Sequence, residues 1–162
     1  MEIRDARAED WDAIWPFFEQ IVRAGETYAY DRDMSIDQGR RTWMVAPPGR
    51  AVVAVDAEGT ILGSASMYPN RGGGGAHVAS ASFMVDPRSG GRGIGRALGE
   101  SVIEWARDGG FRAIQFNAVV ETNEAAVRLW RSLGFTILTT VPEAFDHPAH
   151  GLVGLHIMHR FV

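Results

Sequence analysis

The chain has 162 residues, a net charge of −4 and no cysteine, and its sixteen basic residues are all arginine. That length suits one compact domain, read as 1–162, and the acidic balance speaks against broad nucleic-acid binding, which needs a basic surface. Without cysteine there are no disulfides, Cys-based zinc sites or cysteinyl intermediates, and without lysine there is no P-loop lysine and no Schiff base.

The predicted elements follow in chain order. Trp11, Ile14, Trp15, Phe18, Ile21 and Val22 recur at helical spacing, so an amphipathic helix is expected over about 9–24. Pro16 lies inside it and cannot donate to the carbonyl of Asp12, which predicts a kink. A short second helix is expected over 35–45. Residues 51–55, a turn at Glu58-Gly59 and residues 61–68 form a β-hairpin pattern. Gly72 to Gly75 follow Pro69-Asn70 as a flexible turn with no helix start after it, a poor phosphate cradle. Residues 77–85 make a further strand, ended by Asp86-Pro87.

Ile94, Leu98, Val102, Trp105 and Ala106 mark a third helix closed by Gly109-Gly110. Residues 113–120 form a strand. Asn123 caps a fourth helix with an apolar face of Ala126, Leu129, Trp130 and Leu133, closed by Gly134. Two strands, about 135–141 and 152–160, flank a loop holding Pro142, Phe145 and His147. With an N-terminal strand, the order predicts a mixed sheet with helices on both faces, its central strand–helix–strand unit parallel and its hairpins antiparallel. No apolar run approaches the roughly 18 residues of a membrane span, and the acidic, Trp-containing N-terminus is unlike a signal peptide, so the cytoplasm is the expected address.

The segment from Val85 to Leu98 carries the chemistry. A strand ends, glycines turn the chain, and an amphipathic helix begins. Glycines permit positive φ, and a helix start offers unpaired N–H groups and a positive dipole end, together a site for pyrophosphate. Arg88, Arg92 and Arg96 supply local positive charge. The dinucleotide spacing G-x-G-x-x-G is absent, and Walker A fails for want of lysine.

On these residues the chain resembles the GCN5-related N-acetyltransferase family. The family's Q/R-x-x-G-x-G/A signature falls on Gly90-Gly91-Arg92-Gly93-Ile94-Gly95, with Gly90 where the family has Gln or Arg. The run from Asn123 to Phe135 resembles the family's N-x-x-A-x-x-L-Y-x-x-x-G-F helix. The resemblance implies an α/β (α+β) fold of acyl-CoA N-acyltransferase type, a mixed, centrally splayed seven-stranded sheet with about four helices. It also implies acetyl-CoA as co-substrate and a small-molecule amine as acceptor. The pantetheine would pair with backbone at Phe83, Met84 and Val85. The pyrophosphate would sit on N–H groups from Gly91 to Arg96, and Asn123, Ala126 and Trp130 would border the thiol.

The runs at Gly25–Tyr28, Gln115–Val120 and Pro142–Phe145, with His147, resemble the branch of that family that acetylates proline analogues such as azetidine-2-carboxylate. In that branch the positions matching Asn117 and Ala118 hold the substrate carboxylate by backbone N–H, and Ser80 falls where an asparagine helps hold the substrate. Tyr28, Ser80, Asn117 and Ala118 are thus the candidate substrate residues.

With no cysteine, direct transfer in a ternary complex is the simplest scheme. The family's thiolate-protonating tyrosine is Trp130 here, so that role is vacant; Tyr28, Tyr30 and Tyr68 are the only phenols, and water or an unprotonated thiolate is equally open. Glu26 is a candidate base, directly or through water, or else a solvated loop acid. Ser80, Ser82 and Met84 share one strand face and Ala79, Ala81, Phe83 and Val85 the other; the small residues either relieve crowding or leave room for substrate. Asn117, Ser80 and Glu26 are the candidate catalytic residues. The pairs His147/His150 and His156/His159 suggest no metal site, since a spacing of three in a strand places the second pair on opposite faces. The long loops Gly25–Met34 and Pro142–Gly151 favour a small acceptor over a polypeptide. A peptide acetyltransferase and a non-catalytic acyl-CoA-binding module are the rival readings, and a homodimer is left open.

Overall fold

The computed structural model describes residues 1–162. Its elements are β1 (Glu2–Asp5), α1 (Trp11–Ala24), α2 (Ile36–Trp43), β2 (Arg50–Val55), β3 (Ile61–Pro69), β4 (Val78–Val85), α3 (Ile94–Asp108), β5 (Ala113–Val120), α4 (Glu124–Ser132), β6 (Thr136–His147) and β7 (Gly151–Phe161). The strands form one sheet in the order β1-β2-β3-β4-β5-β7-β6. Only β4 and β5, joined through α3, run parallel; the other neighbours are antiparallel. The expected mixed, seven-stranded sheet is what forms.

Alternation along the strands sends neighbouring side chains to opposite faces, and each face has its own core. Val52, Met67, Ile114 and Phe116 pack with Leu98, Val102, Trp130 and Leu133 of the α3–α4 layer. Val53, Val55 and Met84 pack with Trp11, Ile14, Phe18 and Trp43 of the α1–α2 layer. The helix ends follow local chemistry. Ser35 and Gln38 form a capping box at α2, and Asn123 Oδ1 accepts from the Ala126 N–H at 3.2 Å at α4. Gly134, at φ 85°, closes that helix. Two glycines let α3 lie close to α4: a Cβ at Gly95 would stand 3.2 Å from Leu129, and one at Gly99 only 2.6 Å from Leu133 and 3.1 Å from Trp130.

α1 runs unbroken through Pro16, with the apolar stripe on either side of the proline seated in one core. One expectation changes. Pro142, Glu143 and Phe145, expected in a loop, lie within β6. The β6–β7 register shifts between Val141 and Phe145, and Glu143 takes φ 51° there. A proline without an N–H is tolerated where the ladder is already interrupted. Phe145 then packs on Val120 and Val153, so this segment is sheet and not a closing loop. No helix is long and apolar enough to cross a membrane.

Candidate active site

The pairing of β4 with β5 ends after Val78–Ala113 and Ala79–Ile114. Beyond that point the strands diverge around a cavity of about 430 Å³. Its walls are β4 from Ser80 to Val85, β5 from Phe116 to Val120, the α1–α2 loop from Thr27 to Tyr30, and Asn123, Ala126 and Trp130 of the α4 region. The loop covers one face of the sheet and α4 the other, so the cavity is a slot through the sheet.

On the α4 side the wall is aromatic. Trp130 is 6% exposed, its ring centre 4.5 Å from Phe83 and 4.9 Å from Phe116. The tryptophan is thus both core and lining. On the loop side the wall is hydroxyl-rich. Tyr28 Oη donates to the Phe83 carbonyl at 2.6 Å and accepts from the Phe83 N–H at 2.9 Å. In an antiparallel pair a residue's N–H and C=O point the same way, so these groups of Phe83 face the slot, away from β3. Tyr28 stacks on Tyr30 with centres 5.1 Å apart, and Tyr68 Oη lies 3.4 Å from Ser82 Oγ. Burial raises the Tyr28 and Tyr30 phenols above the ordinary range for tyrosine, because water no longer stabilises their anions. Both remain neutral at physiological pH.

The end of β5 carries a bulge. Between the pairs Phe116–Met158 and Val119–His156, the residues Asn117 and Ala118 stand opposite Ile157 alone. Bulges of this kind interrupt a ladder beside binding sites. The Asn117 side chain forms a reciprocal amide pair with Asn70, at 2.7 and 3.3 Å, and accepts from Gln115 at 3.0 Å.

Where β4 leaves the slot, the glycine turn begins. Gly91 and Gly93 hold φ of 78° and 75°, a left-handed conformation that favours glycine. Every backbone N–H from Gly90 to Arg96 lacks an acceptor within the chain, the first α3 bond being Ala97 N–H to Gly93 O at 3.1 Å. Such a row of donors at a helix start fits an anionic, phosphate-bearing group. The arginines contribute less charge than expected. Arg88 is bonded to the buried carboxylate of Asp86 at 2.7 Å, and Arg96 reaches Glu100 at 3.5 Å; only Arg92 has no carboxylate partner. The Arg88 hydrogen bonds hold Asp86 below the usual aspartate range.

The cavity therefore gathers Tyr28, Ser80, Phe83, Met84, Val85, Asn117, Ala118, Asn123, Ala126 and Trp130, with the turn from Gly90 through Ile94 to Arg96 continuing from Val85. Glu26 is not brought in: it is exposed and does not line the cavity. Tyr30, Tyr68 and Ser82 join the lining although none is among the candidate substrate residues. Ser82 shares the face of Ser80, a signal present in the sequence, whereas Tyr68 reaches it only through the β3–β4 register. The rings of His147 and His150 lie 4.6 Å apart, tilted by 34°, and no group of three or more metal-ligating side chains forms.

Comparison with known proteins agrees with this architecture. The acetyltransferase (GNAT) family matches residues 10–135. A GCN5-related N-acetyltransferase from Kribbella flavida is 63% identical and superposes with a TM-score of 0.97 over 99% of this chain and 97% of that one. The L-amino acid N-acyltransferase MnaT of Escherichia coli is 31% identical over 88% of this chain and 84% of its own length. A Salmonella typhimurium acetyltransferase solved with its cofactor acetyl-CoA is 26% identical, with a TM-score of 0.84 over 99% of this chain and 93% of that one. Fold and site define a chain of the acyltransferase class. It belongs to the GNAT family of acetyltransferases.

Proposed function

We propose that the chain binds acetyl-CoA in the slot between β4 and β5 and transfers the acetyl group directly to the amine of a small molecule, an amino acid or an analogue of one. The carrying observation is the row of unpaired N–H groups from Gly90 to Arg96 at the mouth of that slot. These donors suit the coenzyme's pyrophosphate, and the backbone of β4 toward Val85 suits the amides of its pantetheine arm, the Phe83 N–H and C=O being held by the Tyr28 hydroxyl. Asn123, Ala126 and Trp130 border the thioester end. Shaped walls on both faces hold the two reactants together, which supports direct attack in a ternary complex. On the acceptor side, the bulge at Asn117 and Ala118 offers backbone N–H groups for a carboxylate, with Tyr28 and Ser80 beside it. The activity named for the Escherichia coli relative supports an amino-acid-like acceptor.

A steady-state assay of thiol release, run across amino acids, polyamines and peptides, tests this. Release dependent on a small amino-acid-like amine is expected. Coenzyme binding without release for any amine would leave a binding module, and a preference for peptides would move the acceptor to a polypeptide.

A further inference from the structure

The cavity has an unusual lining for an enzyme that must deprotonate an amine. None of its side chains is Asp, Glu, His, Lys or Arg. Its polar groups are the hydroxyls of Thr27, Tyr28, Tyr30, Tyr68, Ser80 and Ser82 and the amides of Asn117 and Asn123. The charged residues next to the lining are turned elsewhere. Glu26, Asp31 and Asp33 of the α1–α2 loop are exposed. Arg32 donates to the carbonyls of Arg23 and Ala24 at 2.9 Å, and Arg71 to that of Asn70 at 2.9 Å. Glu121, after β5, accepts from the Gly154 N–H, and His156, opposite Val119 on β7, has its Nδ1 2.8 Å from Thr140 Oγ1 on β6. Asp86, after β4, is bonded to Arg88, and Glu124, at the start of α4, to Arg128 at 3.0 Å.

An ammonium ion entering this slot would leave water for a lining with no opposing charge, which is costly. Its proton would also find no side chain that accepts one near neutral pH. Tyr28 and Tyr30 do not serve, since burial keeps them protonated.

We infer that the acceptor amine enters as its free base, that no side chain of this chain acts as a general base, and that the enzyme therefore selects acceptors by the basicity of the amine itself. This rests on the transferase reading above. The step balances without outside acid or base. The nitrogen lone pair forms the N–C bond to the thioester carbonyl, the C–S bond breaks with its electrons passing to sulfur, and the proton shed by nitrogen ends on that sulfur. The hydroxyls accept from the amine N–H and orient its lone pair. Among acceptors that bind alike, those substantially unprotonated near pH 7 are favoured, as an α-amine with pKa about 8 is over an alkylamine near 10.4. At pH 7 these differ more than a hundredfold in free-base fraction.

The test is kcat/KM against pH at saturating acetyl-CoA for a series of amino acids and their amides, whose amine pKa values differ. Expected is a rise of about tenfold per pH unit that levels at each amine's own pKa. A break at one fixed pH for every acceptor would overturn the inference by revealing an enzyme-borne base, while leaving the transferase reading intact. Glu26→Gln should leave each break where it was; a lost or displaced limb in that variant also overturns the inference. Absence of thiol release with every amine overturns both the inference and the reading beneath it.

Discussion

Gly93→Val separates phosphate binding from folding. Gly93 sits at φ 75° immediately before α3, and a Cβ there would meet nothing within 4 Å. The substitution therefore adds backbone strain and no clash. A β-branched residue held at positive φ costs about 1–3 kcal/mol, or roughly 2–4 °C of Tm per kcal/mol in a chain of this size. If the chain relaxes instead, the N–H groups around residue 93 turn away from their common focus. Hydrogen bonds to a charged group contribute about 1.5–3 kcal/mol each, so losing two weakens acetyl-CoA by at least a hundredfold. Gly110→Val is the control, with φ 74°, no neighbour within 4 Å and a position at the far end of α3. Calorimetric titration with acetyl-CoA, alongside melting curves, should show similar Tm losses in both variants and lost affinity only at residue 93. Unchanged affinity in a folded Gly93→Val protein would remove the turn from the coenzyme site.

Trp130→Phe should keep most of kcat, at a stability cost of about 1–2 kcal/mol for the volume lost against Phe83 and Phe116, and Trp130→Tyr should add no basic limb near a phenol pKa of about 10; a kcat loss of several orders in Trp130→Phe with intact coenzyme binding would refute this. Ser80→Asn should raise kcat/KM for azetidine-2-carboxylate up to about tenfold, one hydrogen bond of roughly 1–1.5 kcal/mol, and no change would mean Ser80 does not face the acceptor. Asp10 is held below its reference value of 3.8, chiefly by the Arg4 hydrogen bonds. A depressed folded pKa contributes stability above about pH 4 that is lost as pH falls through the folded value. Tm measured from pH 7 to 2.5 should fall less steeply in Asp10→Asn than in wild type, from a lower starting point.

What was legible in advance was local. Asn123 as a cap, Gly134 as a stop and the strand–glycine–helix passage at 85–98 each announce themselves within a few residues, because capping and positive φ are short-range requirements. The opposite faces of β4 follow from alternation alone. The Tyr28–Phe83 pair joins residues far apart in the chain, and no periodicity signals it. Pro142 marks a loop by every local rule, and only the bulge opposite β7 lets the strand continue through it. Glu26, a candidate base or a solvated loop acid by sequence, is the latter, because the loop turns Tyr28 inward and leaves the glutamate exposed.

The close seating of α3 on α4 restricts how such a site can change. Gly95 and Gly99 bring the helix whose start carries the unpaired N–H groups directly against Leu129, Leu133 and Trp130, so a change of volume on one helix is felt by the other. Carving more room at residue 130 for a longer acyl chain would disturb the packing under the anion site as well. Phe83 and Phe116 pack on the same Trp130 ring, so room opened on β4 or β5 reaches the two helices through that one side chain.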